Sequence, residues 1–124
     1  MHPLHSAHKG NEETYMARIH TTTTLNLRYT LKPGAREALL AELQIVLDLC
    51  AKEPEFITAI LQETQERPNE LLLFELWRGT REEFARVQGP KPYRKEYIER
   101  SKVHVENVEA IFSTPFATWG ASLL

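Results

Sequence analysis

Residues 71–77, which read LLLFELW, constrain the fold of this chain more than any other stretch. The run is too short and too apolar for anything but a buried strand. Because side chains alternate along a strand, Leu73, Glu75 and Trp77 share one face. The opposite face carries only leucine and phenylalanine, and we expect it to pack on helices. The first face holds an acid beside a large ring, so it is where we expect chemistry.

Size and charge narrow the class of protein. The chain has 124 residues, of which 42% are apolar and 26% charged, as expected for one soluble globular domain. A formal net charge of -2 gives no electrostatic reason to expect a nucleic-acid or anionic-membrane partner. No apolar run approaches the roughly 18 residues that span a bilayer, and the first residues do not have the pattern of a signal peptide.

The single cysteine, Cys50, cannot form an internal disulfide and is typical of a reducing interior. It lies at helical spacing from Leu43, Val46 and Leu47, which favours core packing over a nucleophile. We therefore expect a cytoplasmic protein.

Residues 1–20 lack apolar periodicity, and we interpret them as a disordered N-terminal extension. His2, His5 and His8 are spaced by three, so the alternative is a metal site. Pro3 and Gly10 argue against the helix that would bring these histidines together.

The rest of the chain alternates between strand and helix patterns. β-branched and alternating residues predict strands, apolar spacings of three and four predict helices, and Thr80 with Glu83 has the spacing of a helix capping box. The predicted elements are, in order, a strand at 21–31, a helix at 35–52, strands at 56–64 and 71–77, a short helix at 81–88, a helix from 93 whose side continues toward 108, and a last strand between 108 and 119. Pro115 predicts that this last strand lies at a sheet edge or a bulge.

This order predicts the fold class α+β, with a ferredoxin-like split βαβ arrangement: an antiparallel sheet with helices on one face. The sheet's other face also carries apolar residues and needs a cover. A second copy of the chain is the simplest cover, so we expect a homodimer.

The chain resembles the antibiotic biosynthesis monooxygenase domain over residues 22–115. The motifs that carry the resemblance are Lys32-Pro33-Gly34 after the first strand, Glu53-Pro54 after the helix, the Pro68-Asn69 turn, the run 74–77, and a short helix around Phe84. The resemblance implies a dimeric α+β barrel formed by a domain at 21–119, with 120–124 as a tail. Members include cofactor-free monooxygenases that oxidise anthrones and quinols, haem-degrading proteins, and an isomerase of a phosphorylated quorum signal.

The resemblance also implies where a pocket lies. Trp77 matches a tryptophan that lines the pocket of a quinone-forming member, but that member's polar amide falls on Leu73 here. Two histidines common in the family fall on Val87 or Gln88 and on Tyr93, so neither is kept. Asn26, the candidate for the haem-degrading chemistry, is one residue out of register and faces the wrong side.

The remaining candidates for catalysis are Glu75, Tyr93 and His104. Glu75 is the best acid–base candidate, because apolar neighbours raise a carboxyl pKa. Its alternative is a structural ion pair with an arginine. For His104 the alternative is a favourable interaction with a helix dipole.

The candidates for substrate binding are Leu73, Trp77, Tyr97, Arg94 and Arg100. Tyr93 and Tyr97, four apart, can point hydroxyls into a pocket, and the arginines can hold an oxyanion. The alternative is that the tyrosines border the core and the arginines are solvated.

We expect a monooxygenase of the quinol or anthrone type that needs no flavin, haem or metal and acts on a small aromatic or polyketide-like molecule. The alternative is a non-catalytic dimeric barrel that binds an apolar metabolite or serves as an interaction module. A pocket that encloses Trp77 together with Glu75, Tyr93 or Tyr97 favours the enzyme.

Overall fold

The computed structural model describes residues 21–120 of the chain. The predictions for the extension at 1–20, with its three spaced histidines, and for the last residues of the tail fall outside the described residues. The elements are β1 (Thr22–Leu31), α1 (Arg36–Cys50), β2 (Phe56–Glu63), β3 (Glu70–Arg78), α2 (Arg81–Val87), α3 (Pro92–Ser101) and β4 (Val105–Ser113). None of the three helices within residues 21–120 is long and apolar enough to cross a membrane.

The four strands form one antiparallel sheet in the order β2-β3-β1-β4. β1 and β3 are the central strands, paired so that Leu25 lies opposite Glu75 and Leu27 opposite Leu73. The predicted α+β class and the ferredoxin-like order are confirmed, and β2 and β3 pair antiparallel as a hairpin.

The face of β3 on which the helices pack differs from the expectation. The helices cover the face with Leu73, Glu75 and Trp77, all of which are buried beneath them. The fully apolar face of β3 is the one that lies opposite the helices, so the expected packing was wrong. The neighbouring strand β1 explains this orientation. On the fully apolar face of β3, Leu72 lies opposite Arg28 and Phe74 opposite Asn26. The other face of β1 is apolar, so it is the one that packs under the helices.

The helices bury the residues that their spacing predicted. α1 inserts Leu39, Leu43, Val46 and Cys50 into the core. α2 begins at a complete capping box: the Glu83 N–H donates to Thr80 Oγ1 at 3.1 Å, and the Thr80 N–H donates to Glu83 Oε1 at 2.8 Å. The cap fixes the start of α2, which places Phe84 in the core.

The end of the chain departs from the predicted boundary. α3 ends at Ser101, and β4 begins at Val105 rather than at or after residue 108. His104 therefore lies in a loop, where its N–H donates to the Ser101 carbonyl and its carbonyl accepts from the Lys32 N–H. Pairing with β1, which starts at Leu31 opposite Val105, overrides the local helical pattern. β4 is an edge strand, as Pro115 predicted.

Candidate active site

A cavity of about 110 Å³ lies between the sheet and the two helices α1 and α3. Leucine and valine side chains, Leu73 among them, form most of its wall. Its polar lining consists of Tyr29 from β1, Cys50 from α1, Glu75 from β3, and Arg94 and Tyr97 from α3. Five polar groups thus converge from four elements on one small, largely apolar space.

Glu75 is a carboxylate in the middle of the core. Its side chain is on the inward face of β3, with only 3% of the residue exposed. Trp77, two residues along the same face, donates its Nε1–H to Glu75 Oε1 at 2.8 Å. Within residues 21–120 no other group donates a hydrogen bond to this carboxylate, and Arg94 makes no direct ion pair with it.

The surroundings of Glu75 favour its protonated form. Burial raises the pKa of this carboxyl above its usual range, and the charge of Arg94 and the Trp77 hydrogen bond only partly oppose the rise. A carboxylate with a raised pKa in a cavity can both accept a proton and return it. Within one chain, no arginine of residues 21–120 forms the direct ion pair with Glu75 that was the alternative.

Trp77 lines a cavity other than the one around Glu75. Its ring makes edge-on contacts with Phe56 and Phe84, each at a centroid distance of 5.2 Å. The ring lines a second cavity of about 320 Å³ next to α2, whereas the cavity with Glu75 and Tyr97 lies elsewhere along the sheet. Neither of these two cavities encloses Trp77 together with Glu75, Tyr93 or Tyr97, the arrangement that would have favoured the enzyme. The Trp77 N–H nevertheless links its ring to the Glu75 carboxylate.

Arg94 is held over aromatic rings in the first turn of α3. Its guanidinium carbon lies 4.9 Å from the Phe84 centroid and 5.9 Å from that of Trp77, and Nη1 donates to Cys50 Sγ at 3.4 Å. These contacts fix a positive charge at the cavity wall, where a cation near aromatic faces is favoured. The arrangement can stabilise an anionic oxygen inside the cavity.

Tyr29 and Tyr97 form a buried pair, with their hydroxyl oxygens 3.3 Å apart. Burial raises the pKa of Tyr97 to about 12 and that of Tyr29 well above its usual value, so both remain neutral hydrogen-bond donors at physiological pH. No role was predicted for Tyr29, which lies on the inward face of β1. The sequence feature that could have identified it is a single tyrosine among the leucines on the inward face of this strand.

Three predicted residues lie away from this cavity. The Tyr93 hydroxyl donates to Glu53 Oε2 at 2.9 Å, and Arg100 Nε donates to Glu42 Oε1 at 2.9 Å. Six residues of helix turn Arg100 well away from the side that carries Arg94. His104 lies beyond the C-terminal end of α3, at the opposite end of that helix from Arg94. The catalytic and binding roles given to these residues stay predictions.

Gln88 lines the second cavity and stands at one of the positions where the family often carries histidine. Its Nε2 donates to Glu55 Oε1 at 2.9 Å, and its Oε1 is buried without a hydrogen-bond partner in the described part of the chain. An amide does not titrate near neutral pH, so Gln88 cannot replace a histidine base.

Comparisons with known proteins agree with this architecture. The structure of Rv0793 from Mycobacterium tuberculosis matches with a TM-score of 0.71 and 23% identity over 81% of this chain and 100% of that one. PA3566 from Pseudomonas aeruginosa matches with a TM-score of 0.69 and 21% identity, covering 80% of this chain and 98% of its own.

SnoaB, a cofactor-independent oxygenase from Streptomyces nogalater, matches with a TM-score of 0.69 and 16% identity over 79% of this chain and 96% of that one. At these identities the structural matches establish the fold alone. A search of curated proteins gives no match. The family model described as antibiotic biosynthesis monooxygenase, however, matches residues 22–95, more than half of the sequence, and the chain therefore belongs to that family.

Proposed function

We propose that this protein is a cofactor-independent monooxygenase that acts on a small aromatic or polyketide-like molecule carrying a phenolic hydroxyl. The observation that carries the proposal is the buried Glu75 carboxylate at the wall of the cavity between the sheet and the helices, with one N–H donor and a nearby guanidinium. Membership of the family and the likeness to a cofactor-independent oxygenase support the same class of reaction.

The first step is removal of the phenolic proton by Glu75. A free phenol has a pKa of about 10, so an ordinary carboxylate is a weak base for it. Burial reduces the difference between the pKa values of the phenol and of Glu75 by raising that of Glu75. Arg94 reduces the same difference by lowering the pKa of the phenol, because its charge stabilises the phenolate that forms.

The second step is oxidation of the phenolate by dioxygen. The electron-rich ring passes one electron to O₂, and the resulting radical pair combines to form a C–O bond to a ring carbon. Glu75 returns its proton to the peroxide, and loss of the ring C–H proton then breaks the O–O bond. One oxygen atom remains on the ring as a carbonyl and the other leaves as water, so phenol and O₂ give quinone and water. The apolar walls exclude water from these intermediates.

A second candidate function is a non-catalytic barrel that binds an apolar metabolite. It is favoured by Leu73, which replaces a polar amide, and by the absence of histidine at Val87, Gln88 and Tyr93. Both functions use the same cavity, so they are distinguished by turnover rather than by binding.

We also propose that the protein is a cytoplasmic homodimer whose two sheets meet face to face. On the sheet face opposite the helices, Leu72, Phe74 and Ile111 line a depression of about 250 Å³ together with polar residues such as Arg28. Ile60 lies beside it, opposite Phe74, and both Ile60 and Ile111 are more than half exposed. Exposed apolar patches of this kind are typical of interfaces. The single cysteine, Cys50, is free and buried, which supports a reducing compartment.

The test is oxygen uptake by the full, metal-free chain with a panel of quinols and anthrones. Glu75→Gln preserves the shape of the side chain and removes its basicity, so we expect uptake to fall to the uncatalysed rate. Glu106→Gln, at an exposed position of β4, is the control and keeps full activity. An active, folded Glu75→Gln protein would exclude Glu75 as the base. Ligand binding with no turnover in the unmutated protein would favour the non-catalytic barrel.

A further inference from the structure

The second cavity, which lies next to α2, shares no lining residue with the cavity around Glu75. Its volume of about 320 Å³ falls at the lower end of the range for small-molecule pockets, about 300–1,000 Å³. Trp77, Phe84 and Val87 supply its apolar lining. Its charged lining consists of two acids and two bases, Glu55, Glu83, Arg78 and Arg86. This balance of charges suits a ligand that carries both signs.

Gln88 brings a buried hydrogen-bond acceptor to this cavity. The residue is only 1% exposed and belongs to the lining. Its Nε2 donates to Glu55 Oε1 at 2.9 Å, and its Oε1 has no donor within residues 21–120. A buried acceptor without a donor is unfavourable, so a ligand N–H that reaches it is favoured. Because Gln88 lines the cavity, a small rotation of its side chain presents this oxygen to such a ligand.

Glu55 supplies a second acceptor beside the first. Gln88 occupies its Oε1, and the described part of the chain gives no donor to its Oε2. The carboxylate of Glu83 differs, because it already accepts the Thr80 N–H of the capping box. A primary ammonium group carries three donors and can serve Glu55 and Gln88 together. Its bond to the carboxylate is charge-assisted and therefore strong.

The arginines bring positive charge to the same cavity. Arg86 forms no hydrogen bond or salt bridge with any group of residues 21–120. Arg78 is held in place by hydrogen bonds from its Nη1 to the carbonyl oxygens of Pro54 and Phe56, at 3.3 and 3.2 Å. The guanidinium of Arg86 is therefore free to bind a carboxylate with two parallel hydrogen bonds, and the charge of Arg78 favours the same anion.

We propose that the second cavity is a binding site for a free amino acid with a branched or aromatic side chain. Its ammonium group donates to Glu55 and to Gln88 Oε1, and its carboxylate accepts from Arg86. Its side chain packs against Phe84 and Val87. The site goes beyond the proposed monooxygenase and does not depend on it, because the two cavities are lined by different residues.

Binding is tested by fluorescence and titration calorimetry on the full chain that carries Trp119→Phe. The chain has two tryptophans, so Trp77, which lines the cavity, is then the only one. We expect L-leucine or L-phenylalanine to change the emission of Trp77. The better of the two should bind at least about tenfold more tightly than its analogues with one charged group, because each analogue lacks a charge-assisted contact. These analogues are 4-methylpentanoate and 3-methylbutylamine for leucine, and 3-phenylpropanoate and 2-phenylethylamine for phenylalanine.

Matched variants identify the groups that bind the amino acid. Glu55→Gln and Arg86→Gln should each weaken its binding at least about fivefold. Glu82→Gln and Arg81→Gln make the same changes of charge at exposed positions of α2 that do not line the cavity. In these controls the affinity should stay within about twofold of the unmutated value. Gln88→Met removes the buried acceptor, keeps the length of the side chain, and should also weaken binding.

The outcomes are decided without any measurement of oxygen uptake, so failure of this inference leaves the proposed monooxygenase untouched. Absence of binding of both amino acids overturns the inference, and so does an analogue that binds as tightly as its parent. Losses in Glu55→Gln or Arg86→Gln that do not exceed those of the controls also overturn it, whether or not Gln88→Met folds. Glu75→Gln should leave the affinity unchanged, and a loss equal to that of Glu55→Gln would place the amino acid in the other cavity.

Discussion

The neutral form of Glu75 stabilises the folded protein relative to the charged form, and this difference is measurable as a dependence of stability on pH. Because burial raises its pKa above the ordinary value of 4.5, the folded protein prefers the neutral carboxyl. The stabilising effect of the neutral form is complete below the ordinary pKa and is lost as pH rises through the raised pKa. Glutamine stays neutral throughout, so Glu75→Gln should gain in melting temperature relative to the unmutated protein as pH rises from about 4.5 to 8. A difference that does not change with pH would contradict the raised pKa.

The hydrogen bond from Trp77 should lower the pKa of this same carboxyl group. Trp77→Phe keeps an aromatic ring and removes the N–H that favours the charged form of Glu75. The pKa of Glu75 should therefore rise further, and the pH at which kcat/KM increases should move upward. The measurement is the pH profile of oxygen uptake for both proteins. An unchanged profile would mean that the proton transfer does not involve Glu75.

The ring of Trp77 should contribute to stability independently of that hydrogen bond. The residue is only 1% exposed, whereas Trp119 is 88% exposed, so the chain contains its own control. Trp77→Ala should lower the free energy of unfolding by about 3–5 kcal/mol. Trp119→Ala should lower it by less than about 0.5 kcal/mol. Urea denaturation followed by circular dichroism measures both, and equal losses would contradict the packing of β3.

Part of the site could be predicted from the sequence alone, because local periodicity determines the side of a strand or helix on which each side chain lies. The two-residue period of a strand puts Leu73, Glu75 and Trp77 on one face wherever that strand lies. Helical spacing likewise puts Arg94 and Tyr97 on one side of α3. The hydroxyl of Tyr93 could not be directed in this way, because its acceptor, Glu53, is forty residues earlier in the chain and becomes a neighbour only after folding.

At the level of elements, local signals located most boundaries and tertiary pairing decided the others. The capping box at Thr80 gave the start of α2, and the alternating residues of β1 gave its inward face. The start of β4 could not be found, because residues 101–108 fit a helix about as well as a strand and their pairing with β1 decides. The same limit explains the orientation of β3. One of its faces is fully apolar and the other is apolar except for Glu75, and the neighbouring strand β1 decides which of them faces the helices.

The capping box permits a test of α2 as an element. Thr80→Ala removes the hydroxyl that accepts the Glu83 N–H and should lower the free energy of unfolding by about 1 kcal/mol. Thr114→Ala, at an exposed position after β4, is the control and should change it little. Thermal melts compared at one pH measure the effect. Equal losses in the two variants would mean that α2 is held by Phe84 alone.

For the molecule as a whole, the proposed homodimer rests on the sheet face opposite the helices. Two such faces packed together would form an obligate interface, which typically buries about 2,000 Å² or more. Light scattering should therefore give a mass near twice 14.3 kDa at micromolar concentration. A mass near that of one chain would exclude the dimer outright.

Two matched isoleucines test which surface forms this dimer. Ile60 lies on the open sheet face and is 53% exposed, and Ile45 lies on α1 and is 54% exposed. Ile60→Glu buries an unpaired charge in the proposed interface, which costs several kcal/mol, so the dissociation constant should rise a hundredfold or more. Ile45→Glu adds the same charge to a surface that stays solvated, so the dimer should remain. Sedimentation equilibrium measures both constants. A dimer that withstands Ile60→Glu, or dissociates equally with Ile45→Glu, would place the interface elsewhere on the molecule.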